Sequence, residues 1–555
     1  MPVFLFTVHH IIEHAMKQIT LTLSLALAAI TAWGQTNTST ISQTGVSQQA
    51  NVSQTGSALT SVISQVGTPT SNTGNVGLVI QSGTGHILSI SQNGSNYNRA
   101  GVTQTGTSPG SNTVTIAQNN NGNGNTSLRS ADPATSAVGN GNWAGGWQLG
   151  SSNSIRIRQN NAGTTQNFAE AWQQGTSNEA DIQQSRGVDN RAEIFQGNEQ
   201  RGGGPAAGSL PTVNVTGNVA DIDQERGLRN DASIRQFSNN NRGEVNQNAI
   251  TSTDNLATIQ QGDGTDPSGQ RENTAIIEQN NISNLNIANI LQLGSESEAE
   301  INQDGVSGSG GSSTNIASIT QTIGSDENEA RIDQSSGNSL LSERNNATIV
   351  QKGEDGRTHI RQTIAAADSK GSIEQGTGSD NDRAYIWQGR TSFATATITQ
   401  NLTATGRDNI ASIQQGNGTV GQGSSLSATI AQEGSRNDTR LLQIGSASSA
   451  TVSQTGNNNV VTGPGLGTTP SGGEGTLLGG SYAVQNGSSH QLTITQTSPG
   501  GGNTSIFNTA DVQQLGTGNV LIGMQTAQTA GNLMTVRQDG NTNQAFIQQN
   551  GIVTP

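Results

Sequence analysis

The sequence predicts an all-β fold, namely a β-solenoid of stacked strand-turn-strand repeats with amyloid-like ladders of glutamine and asparagine side chains. One short pattern recurs from Gln43 to Gln549. The 555-residue chain is only 30% hydrophobic and 3% aromatic and has no cysteine, so neither a large globular core nor disulfides are expected to hold it together. Charged residues alternate with the apolar positions of the pattern, as they do on the two faces of a β-strand.

The clearest copy of the pattern runs from Gln173 to Gln184. Because successive side chains of a strand point to opposite faces, every second residue of this copy shares one face. One face then carries small apolar and amide side chains and is expected to point inward, and the other face is charged. Gly175 falls in the turn before the strand, where glycine accepts a positive φ. The residues expected on the inward face and in the turn are Gln173, Gly175, Asn178, Ala180, Ile182 and Gln184.

The pattern returns often enough to define a repeat. A copy near the end of the chain keeps the spacing position for position, with Gln538, Gly540, Asn543, Ala545, Ile547 and Gln549. Two further copies contain Gln292, Gly294, Ala299, Ile301 and Gln303, and Gln443, Gly445, Ala450, Val452 and Gln454. With the shorter Ala-x-Ile-x-Gln cores included, residues 35–555 are expected to form about eighteen two-strand units.

Stacking is expected to stabilise these units. A single hairpin is marginal in water, because it buries too little apolar surface to offset the entropy of ordering its residues. When units stack about 4.8 Å apart, each alanine and isoleucine contacts its equivalents above and below, and each amide can bond its neighbour. Eighteen units would form a rod roughly 85 Å long. The two end units would each keep one open edge, which is a template for another chain.

The motif Gln-x-Gly-x-x-Asn-x-Ala-x-x-x-Gln, which occurs at Gln173 to Gln184 and at Gln538 to Gln549, resembles the curlin repeat of bacterial curli fibres. The resemblance covers nearly all of the chain after Gln35. It implies a secreted functional amyloid subunit that assembles into extracellular fibres for the biofilm matrix and cell adhesion. It also implies three kinds of partner: further copies of the chain, other curlin subunits, and a curli-type outer-membrane pore that exports the unfolded chain.

Residues 1–34 are predicted to hold an upstream extension and a secretory signal peptide. A positively charged start at Met16 precedes an apolar stretch that is too short to span a membrane. Small residues at the end of this stretch predict cleavage between Gly34 and Gln35. We expect Met16 to be the true start, and the alternative is that residues 1–15 form a genuine N-terminal helix.

Five segments rich in Gly, Ser, Asn or Pro interrupt the pattern. We expect them to be loop insertions, which are tolerated because the entropy cost of loop closure grows slowly with length. The alternative is that they are adhesive or partner-binding loops, with Trp143 and Trp147 as the contacts. The segments lie near 119–146, 197–218, 262–272, 462–481 and 498–502.

The sequence predicts no enzyme, cofactor or metal site. His86, His359 and His490 are far apart and match no metal-ligand spacing, so we expect solvated strand or turn residues. Asp221 and Asp223 share a strand face, but acid–base catalysis would need a pocket, and we expect a solvated surface instead. A pI near 4.8 and the few aromatic residues argue against nucleic-acid binding.

Two other classes of protein stay open at this stage. A monomeric β-solenoid adhesin could bind a surface such as ice or a glycan, which would favour a regular file of Thr-x-Thr pairs. The pairs that begin at Thr113, Thr395 and Thr493 are sporadic in the sequence. A disordered matrix protein would show no phase relation between apolar and charged positions, whereas the repeats show one. We therefore expect a fibre-forming subunit and keep the adhesin as the alternative.

Overall fold

A computed structural model gives the fold of the protein. The structure describes residues 36–45, 48–67, 75–94, 98–106, 110–120, 142–161, 167–197, 214–248, 254–264, 271–280, 285–303, 314–322, 324–334, 344–363, 366–403, 405–416, 424–463, 482–498, 508–527 and 531–551. Within these ranges the chain forms forty β-strands and no helix.

The strands make two long parallel sheets, A and B, and one two-stranded sheet. Sheet A comprises β1 (Thr38–Thr44), β3 (Thr60–Val66), β5 (Ile87–Gly94), β7 (Thr113–Asn120), β9 (Ser154–Asn161), β11 (Glu179–Ser185), β14 (Val219–Glu225), β16 (Arg242–Asn248), β18 (Thr274–Glu278), β20 (Glu298–Asn302), β22 (Glu329–Asp333), β24 (Arg357–Thr363), β27 (Arg383–Gly389), β30 (Ile410–Gln415), β32 (Asp438–Ser446), β34 (Val460–Thr462), β35 (Ala483–Ser488), β37 (Asn508–Thr517) and β39 (Asn532–Asn541).

Sheet B comprises β2 (Gln49–Ser57), β4 (Val76–Thr84), β6 (Arg99–Gly106), β8 (Trp143–Ser151), β10 (Phe168–Thr176), β12 (Arg191–Gln196), β13 (Val215–Thr216), β15 (Asp231–Gln236), β17 (Leu256–Gln261), β19 (Ile287–Gln292), β21 (Ile316–Gln321), β23 (Asn346–Gln351), β25 (Lys370–Gln375), β28 (Thr395–Gln400), β31 (Ser427–Glu433), β33 (Ser449–Thr455), β36 (Gln491–Thr497), β38 (Val520–Ala527) and β40 (Gln544–Gly551). The small sheet comprises β26 (Ser379–Asp380) and β29 (Gly406–Arg407).

The chain alternates between the two long sheets, so each level of the column has one layer in A and one in B. Strand β11 pairs with β9 below and β14 above, and β10 pairs with β8 and β12. One level in each sheet is split, because β12 and β13 both pair with β10, and β34 and β35 both pair with β32. The 19 strands of each sheet therefore make 18 levels (19 − 1) in the described residues, which matches the predicted number.

The parallel strands are in register along the column. Ala180 pairs with Ala220, and Ile182 pairs with Ile222. Alanine and isoleucine side chains therefore stack on their equivalents between the two sheets, and one continuous apolar core runs from Ile63 to Val536. Full burial of one isoleucine side chain contributes roughly 1.5–3 kcal/mol to the free energy of unfolding. A slip of one residue in the register of a strand would turn its charged face toward the core in place of its apolar face. The predicted all-β solenoid is confirmed.

Glycines in the turns meet two different demands. Gly175, Gly445 and Gly540 adopt a positive φ of 119°, 113° and 108°, respectively. Gly294 has no such φ, but a Cβ atom there would lie 1.7 Å from the carbonyl oxygen of Ser325 in the next level. The first three positions need glycine for backbone conformation, and Gly294 is needed for close approach between levels. Gly175 and Gly445 meet both demands, because an added Cβ atom would lie 1.9 Å from the carbonyl oxygen of Val215 and 1.7 Å from that of Gly487, respectively.

Several sequence predictions fall on residues outside the described ranges. These include residues 1–35, with the expected cleavage between Gly34 and Gln35, and most of the five interrupting segments. Strand β7 ends at Asn120 and β8 begins at Trp143, so Trp143 and Trp147 lie in a strand. None of the described residues forms a helix of the length and apolarity that crossing a membrane requires.

Candidate functional site: the open ends of an amide-laddered column

One inward-facing glutamine per level in each sheet joins a continuous hydrogen-bonded ladder. Each Nε2 donates to the Oε1 of the glutamine one level nearer the C-terminus. In sheet A the Nε2–Oε1 distances are 2.7–2.9 Å, and the ladder is Gln43, Gln65, Gln92, Gln118, Gln159, Gln184, Gln224, Gln247, Gln279, Gln303, Gln334, Gln362, Gln388, Gln415, Gln443, Gln485, Gln514 and Gln538.

The ladder in sheet B has the same direction. Its Nε2–Oε1 distances are 2.7–3.1 Å, and it comprises Gln54, Gln81, Gln104, Gln148, Gln173, Gln196, Gln236, Gln261, Gln292, Gln321, Gln351, Gln375, Gln400, Gln432, Gln454, Gln496, Gln525 and Gln549.

A second bond from nearly every ladder amide fixes the direction of these ladders. Gln184 Nε2 also donates to the backbone carbonyl of Phe168, 3.0 Å away in the opposite sheet, and Gln196 Nε2 donates to that of Glu179 at 2.9 Å. Since only the nitrogen can donate, the amide cannot turn over without losing both bonds. The dipoles of the amides in each ladder are therefore aligned along the column.

Asparagines in the turns form a second type of ladder. The backbone N–H of Asn190 donates to Asn167 Oδ1, and that of Asn230 donates to Asn190 Oδ1, both at 3.0 Å. The sequence pattern placed Asn178 in this position, where its N–H donates to Asn153 Oδ1 at 3.1 Å. These bonds satisfy polar groups that are buried between levels.

Three titratable residues replace asparagine in the turn ladders. His86 and His490 are fully buried, and each Nδ1 accepts the backbone N–H of the next level at 3.4 Å. The expectation that these histidines are solvated is therefore wrong, because they fill a ladder position, and burial lowers the pKa of both.

Asp382 is also fully buried, and its Oδ1 accepts the N–H of Asn409 at 2.8 Å. Burial raises the pKa of Asp382 to about 6.

His359, in contrast to His86 and His490, lies on the outer face of sheet A between Arg331 and Tyr385. Burial among its neighbours lowers its pKa to about 4. Asp221 and Asp223 lie on the same outer face, beside Asp181. Among the described residues, His, Asp and Glu form no group of three that could hold a metal ion.

Charges of opposite sign stack along the outer face of sheet A. Arg156 in β9 lies 3.3 Å from Asp181 in β11, and Arg158 lies 3.1 Å from the same carboxylate. Arg331 lies 3.4 Å from Glu300 of the preceding level. Such exposed pairs contribute about 0–1 kcal/mol each, so they affect solubility and lateral contacts more than they stabilise the fold.

The N-terminal end of the column is open. Among the described residues, strand β1 pairs only with β3, and every residue of β1 is exposed. Within the part of the chain that the structure describes, strand β2 pairs only with β4, and its inward residues Ala50 and Val52 are partly buried against the core. Both ladders begin here, so this end presents the Oε1 acceptors of Gln43 and Gln54 without a partner from a preceding level among the described residues.

The C-terminal end of the column is also open, and it carries ladder donors where the N-terminal end carries ladder acceptors. In the described ranges, strand β39 pairs only with β37, and β40 pairs only with β38. Ala545 and Ile547 are partly buried, and Phe546 is 70% exposed. Both ladders end here, so this end presents the Nε2 groups of Gln538 and Gln549, whose Oε1 atoms already accept from the previous level. One end therefore offers ladder acceptors and the other offers ladder donors.

The inward residues of the two ends follow the same order. Strand β2 carries Ala50, Val52 and Gln54, and β40 carries Ala545, Ile547 and Gln549 with the same spacing. Strand β1 carries Ile41 and Gln43, and β39 carries Val536 and Gln538. If a second chain continued the register, each core residue and each ladder amide would meet its equivalent.

The structure places the residues of the four quoted repeats as follows. Those with less than 9% exposure are Gln173, Asn178, Ala180, Ile182, Gln184, Gln292, Ala299, Ile301, Gln303, Ala450, Val452, Gln443, Gln454 and Gln538, whereas Asn543, Ala545, Ile547 and Gln549 of the final level are less buried. Glycines 175, 294, 445 and 540 lie at or beside strand ends. The inward residues are thus distributed along the column and meet others only within their own and adjacent levels.

Two features of the outer face of sheet B do not show in the linear sequence. Trp143 stacks on Phe168 and Trp147 on Trp172, each with ring centroids 4.4 Å apart. Thr397, Thr429, Thr451 and Thr493 pair in consecutive levels and form a continuous row. Residues of these rows are separated by 20 or more positions in the chain, and the spacing between them is irregular, so only the level-by-level register could have revealed them.

Comparison with known protein families gives one match. Residues 423–456 match the family model of the curlin associated repeat. The matched segment includes β31, β32 and β33, and therefore both sheets. No curated protein matches the chain. The chain carries the curlin repeat, and the resemblance to that family is confirmed.

Proposed function

We propose that this curlin-repeat chain is a secreted structural subunit that assembles end to end into extracellular amyloid fibres, which support the biofilm matrix and cell adhesion. The observation that carries the proposal is the complementarity of the two open ends. One end has unpaired ladder acceptors, the other has ladder donors, and both have the same order of core residues.

The mode of assembly follows from the direction of the ladders. In a head-to-tail junction, Gln538 and Gln549 of one chain donate to Gln43 and Gln54 of the next, and β39 and β40 pair with β1 and β2. In a head-to-head junction, two sets of acceptors face each other and the amide bonds are lost. Each lost buried bond leaves polar groups unsatisfied at roughly 1–3 kcal/mol. Head-to-tail addition is therefore favoured.

The proposal includes the route by which the chain reaches the fibre. The curlin repeat suggests an extracellular or surface protein. A chain without cysteine and with its core distributed over many weak levels suits export in an unfolded state, followed by folding outside the cell. The proposed partners are further copies of the chain, other curlin subunits and a curli-type outer-membrane pore. The proposed function is structural, without catalysis or a cofactor.

Fibre formation can be tested on the purified chain from Gln35. We expect thioflavin-binding fibres, a meridional reflection near 4.8 Å in fibre diffraction, and one chain per roughly 85 Å of column. Electron microscopy with mass-per-length measurement would check the last value. A monodisperse monomer that persists for days at high concentration would contradict the proposal.

The monomeric adhesin remains a second candidate because of the threonine row. Thr397, Thr429, Thr451 and Thr493 place hydroxyl and methyl groups at the regular spacing of one level on a flat face without charge in that row. An ice-recrystallisation assay on the monomer tests this candidate. Loss of activity after replacing Thr429 and Thr451 with lysine would support it, and inactivity of the unmodified chain would reject it.

A further inference from the structure

The outer face of sheet B has a groove that crosses β2, β4, β6 and β8. Its volume is about 540 Å³. Its floor lies at Gly101, where an added Cβ atom would meet no atom within 4 Å. The walls include Val76 and Leu78 on one side and Trp143 and Trp147 on the other. The groove exists within a single chain, extends from β8 to the first strand of sheet B, β2, and opens sideways from the column.

The aromatic wall is held in a defined orientation. Trp143 stacks on Phe168 with an angle of 8° between the rings, and Trp147 stacks on Trp172 with an angle of 12°. These partners belong to β10, on the side of β8 away from the groove. The opposite ring faces are therefore directed toward β6, where Trp147 is partly exposed and Trp143 is only 7% exposed. There the aromatic stack ends, because Trp143 pairs with Arg99 and Trp147 pairs with Thr103.

The groove carries one positive charge. Arg99 is the only charged residue among the described residues that line it. The other arginines on this face have partners, since Arg191 pairs with Glu193 and Arg235 lies over the ring of Phe195. No carboxylate among the described residues forms an ion pair with Arg99, and burial alone lowers its pKa. A half-buried guanidinium without an acid is unusual in a chain of net charge −14.

We propose that this groove binds an acidic polysaccharide, in which a sugar ring packs against the partly exposed Trp147, beside Trp143, and a carboxylate pairs with Arg99. The apolar face of a pyranose ring would extend the aromatic stack into the space above Gly101. A uronate carboxylate would accept two parallel hydrogen bonds from the guanidinium. Gln49, Asn51 and Thr103 line the same groove and supply partners for sugar hydroxyls.

The charge at Arg99 favours this ligand over the alternatives. A neutral glycan would leave the half-buried guanidinium without a counter-charge. A segment of a second chain would need an acidic side chain to pair with Arg99. It would also need to fill the space above Gly101, which is bounded by aromatic rings. The proposal does not rest on fibre assembly, because all residues that line the groove belong to one chain and the groove faces sideways from the column.

The test uses oligogalacturonate of uniform length, with a cellulose oligomer of equal length as the neutral control. Binding is measured by calorimetry and by tryptophan fluorescence, on freshly prepared monomer and on assembled material. We expect saturable binding of the acidic oligomer in both states. Arg99→Gln should weaken it about tenfold, because a charge-assisted hydrogen-bonded pair is lost. Arg99→Lys should restore part of the affinity.

Gly101→Leu supplies an independent variant. The Cβ atom would meet no atom within 4 Å and the backbone there is not in the left-handed region, so the side chain should occupy the groove and abolish binding while the thermal unfolding curve stays close to that of the unmodified chain. Arg242→Gln removes the same charge from the outer face of sheet A and should leave binding unaltered. The proposal is overturned if the unmodified chain does not bind the acidic oligomer, if it binds the cellulose oligomer equally well, or if Arg99→Gln or Gly101→Leu binds like the unmodified chain.

Discussion

An interior level of the column and a terminal level contain the same residue types but differ in what surrounds them. In β20, the inward residues Ala299 and Ile301 are completely buried, because β18 and β22 cover the strand on both sides. In β40, the equivalent Ala545 and Ile547 are only partly buried, because β38 is the one described strand that pairs with it. The neighbouring levels therefore determine how strongly each repeat is stabilised.

This difference accounts for the stability of interior levels and would account for the assembly that we propose. Interior levels gain from contacts above and below, as expected for a repeat protein whose units contact only their neighbours. Terminal levels keep unpaired backbone groups, partly exposed core residues and one unsatisfied side of each ladder. A second chain that restores the missing neighbour makes a terminal level equivalent to an interior one.

The largest effect is expected from a charge inside the column. Ile182→Lys places an unpaired ammonium group where the side chain is completely buried, and we expect a loss of roughly 3–5 kcal/mol in the free energy of unfolding. Glu179→Lys, on the outer side of the same strand, should change stability by less than about 0.5 kcal/mol. Urea denaturation followed by circular dichroism would measure both. Similar losses for the two variants would contradict the assignment of Ile182 to the inward face and Glu179 to the outward face.

A smaller effect is expected from removing one ladder amide. Gln247→Ala leaves Gln224 Nε2 and Gln279 Oε1 without their ladder partners, and each buried unsatisfied group costs roughly 1–3 kcal/mol. Gln549→Ala breaks one ladder bond at a partly exposed end and should cost less than about 1 kcal/mol. Denaturation midpoints compare the two. An equal loss at both positions would show that the ladder bonds are no stronger inside the column than at its end.

The buried Asp382 predicts a dependence on pH. Its pKa is raised to about 6 by burial, so its ionisation opposes folding, and this penalty appears as the pH rises from about 4 and is complete above about 6. Asp382→Asn loses the bond that Asn401 Nδ2 donates to Asp382 Oδ2 at either pH, so the expected sign is in the difference: its effect on the free energy of unfolding should be about 1–3 kcal/mol more favourable at pH 8 than at pH 4. Unfolding curves at the two pH values would check this.

Asp368→Asn is the matched control for this pH dependence. The neighbouring Arg344 holds the pKa of Asp368 below its usual range, so removing that charge should give no gain at pH 8. A gain of the same size in both variants would show that general charge reduction is responsible. His86 and His490 act in the opposite direction, because their lowered pKa values make folding weaker as the pH falls below about 6.5.

The smallest effect on stability is expected at the end of the column. Ile547→Lys places a charge where water already reaches the side chain, and we expect a loss below about 1 kcal/mol. Fibre elongation should nevertheless slow strongly, because the charge would be buried when the next chain docks. Seeded thioflavin kinetics would measure elongation. Normal elongation by a stably folded Ile547→Lys chain would mean that β40 does not form the junction.

The sequence was sufficient to predict most of the fold. Alternation of small apolar and charged residues sets the inward and outward faces, and the repeat length sets one strand per sheet in each level. The ladder position of Gln184 was predictable because it recurs in phase with Ala180 and Ile182. The turn ladder was less clear, since His86, Asp382 and Ser297 replace asparagine at a position defined by bonding between levels.

The candidate sites were harder to predict because they depend on which levels become neighbours. Arg99 and Trp143 are far apart in the chain, and their pairing across β6 and β8 follows only from the register. Likewise, the sporadic Thr395 and Thr493 pairs lie on one face only after the levels are stacked. The direction of the ladders also depends on which carbonyl group each amide nitrogen meets in the opposite sheet.

The most direct test of head-to-tail assembly uses one introduced thiol per chain, since the protein has no cysteine. If the register of β37 and β39 continues into the next chain, Arg537 lies beside Ser42 at about 4.8 Å, within the range for a disulfide. Fibres grown from a mixture of Arg537→Cys and Ser42→Cys chains should give covalent dimers on oxidation, whereas neither variant alone should do so. Dimers from a single variant, or none from fibres of the mixture, would contradict continuation of the ladders from chain to chain.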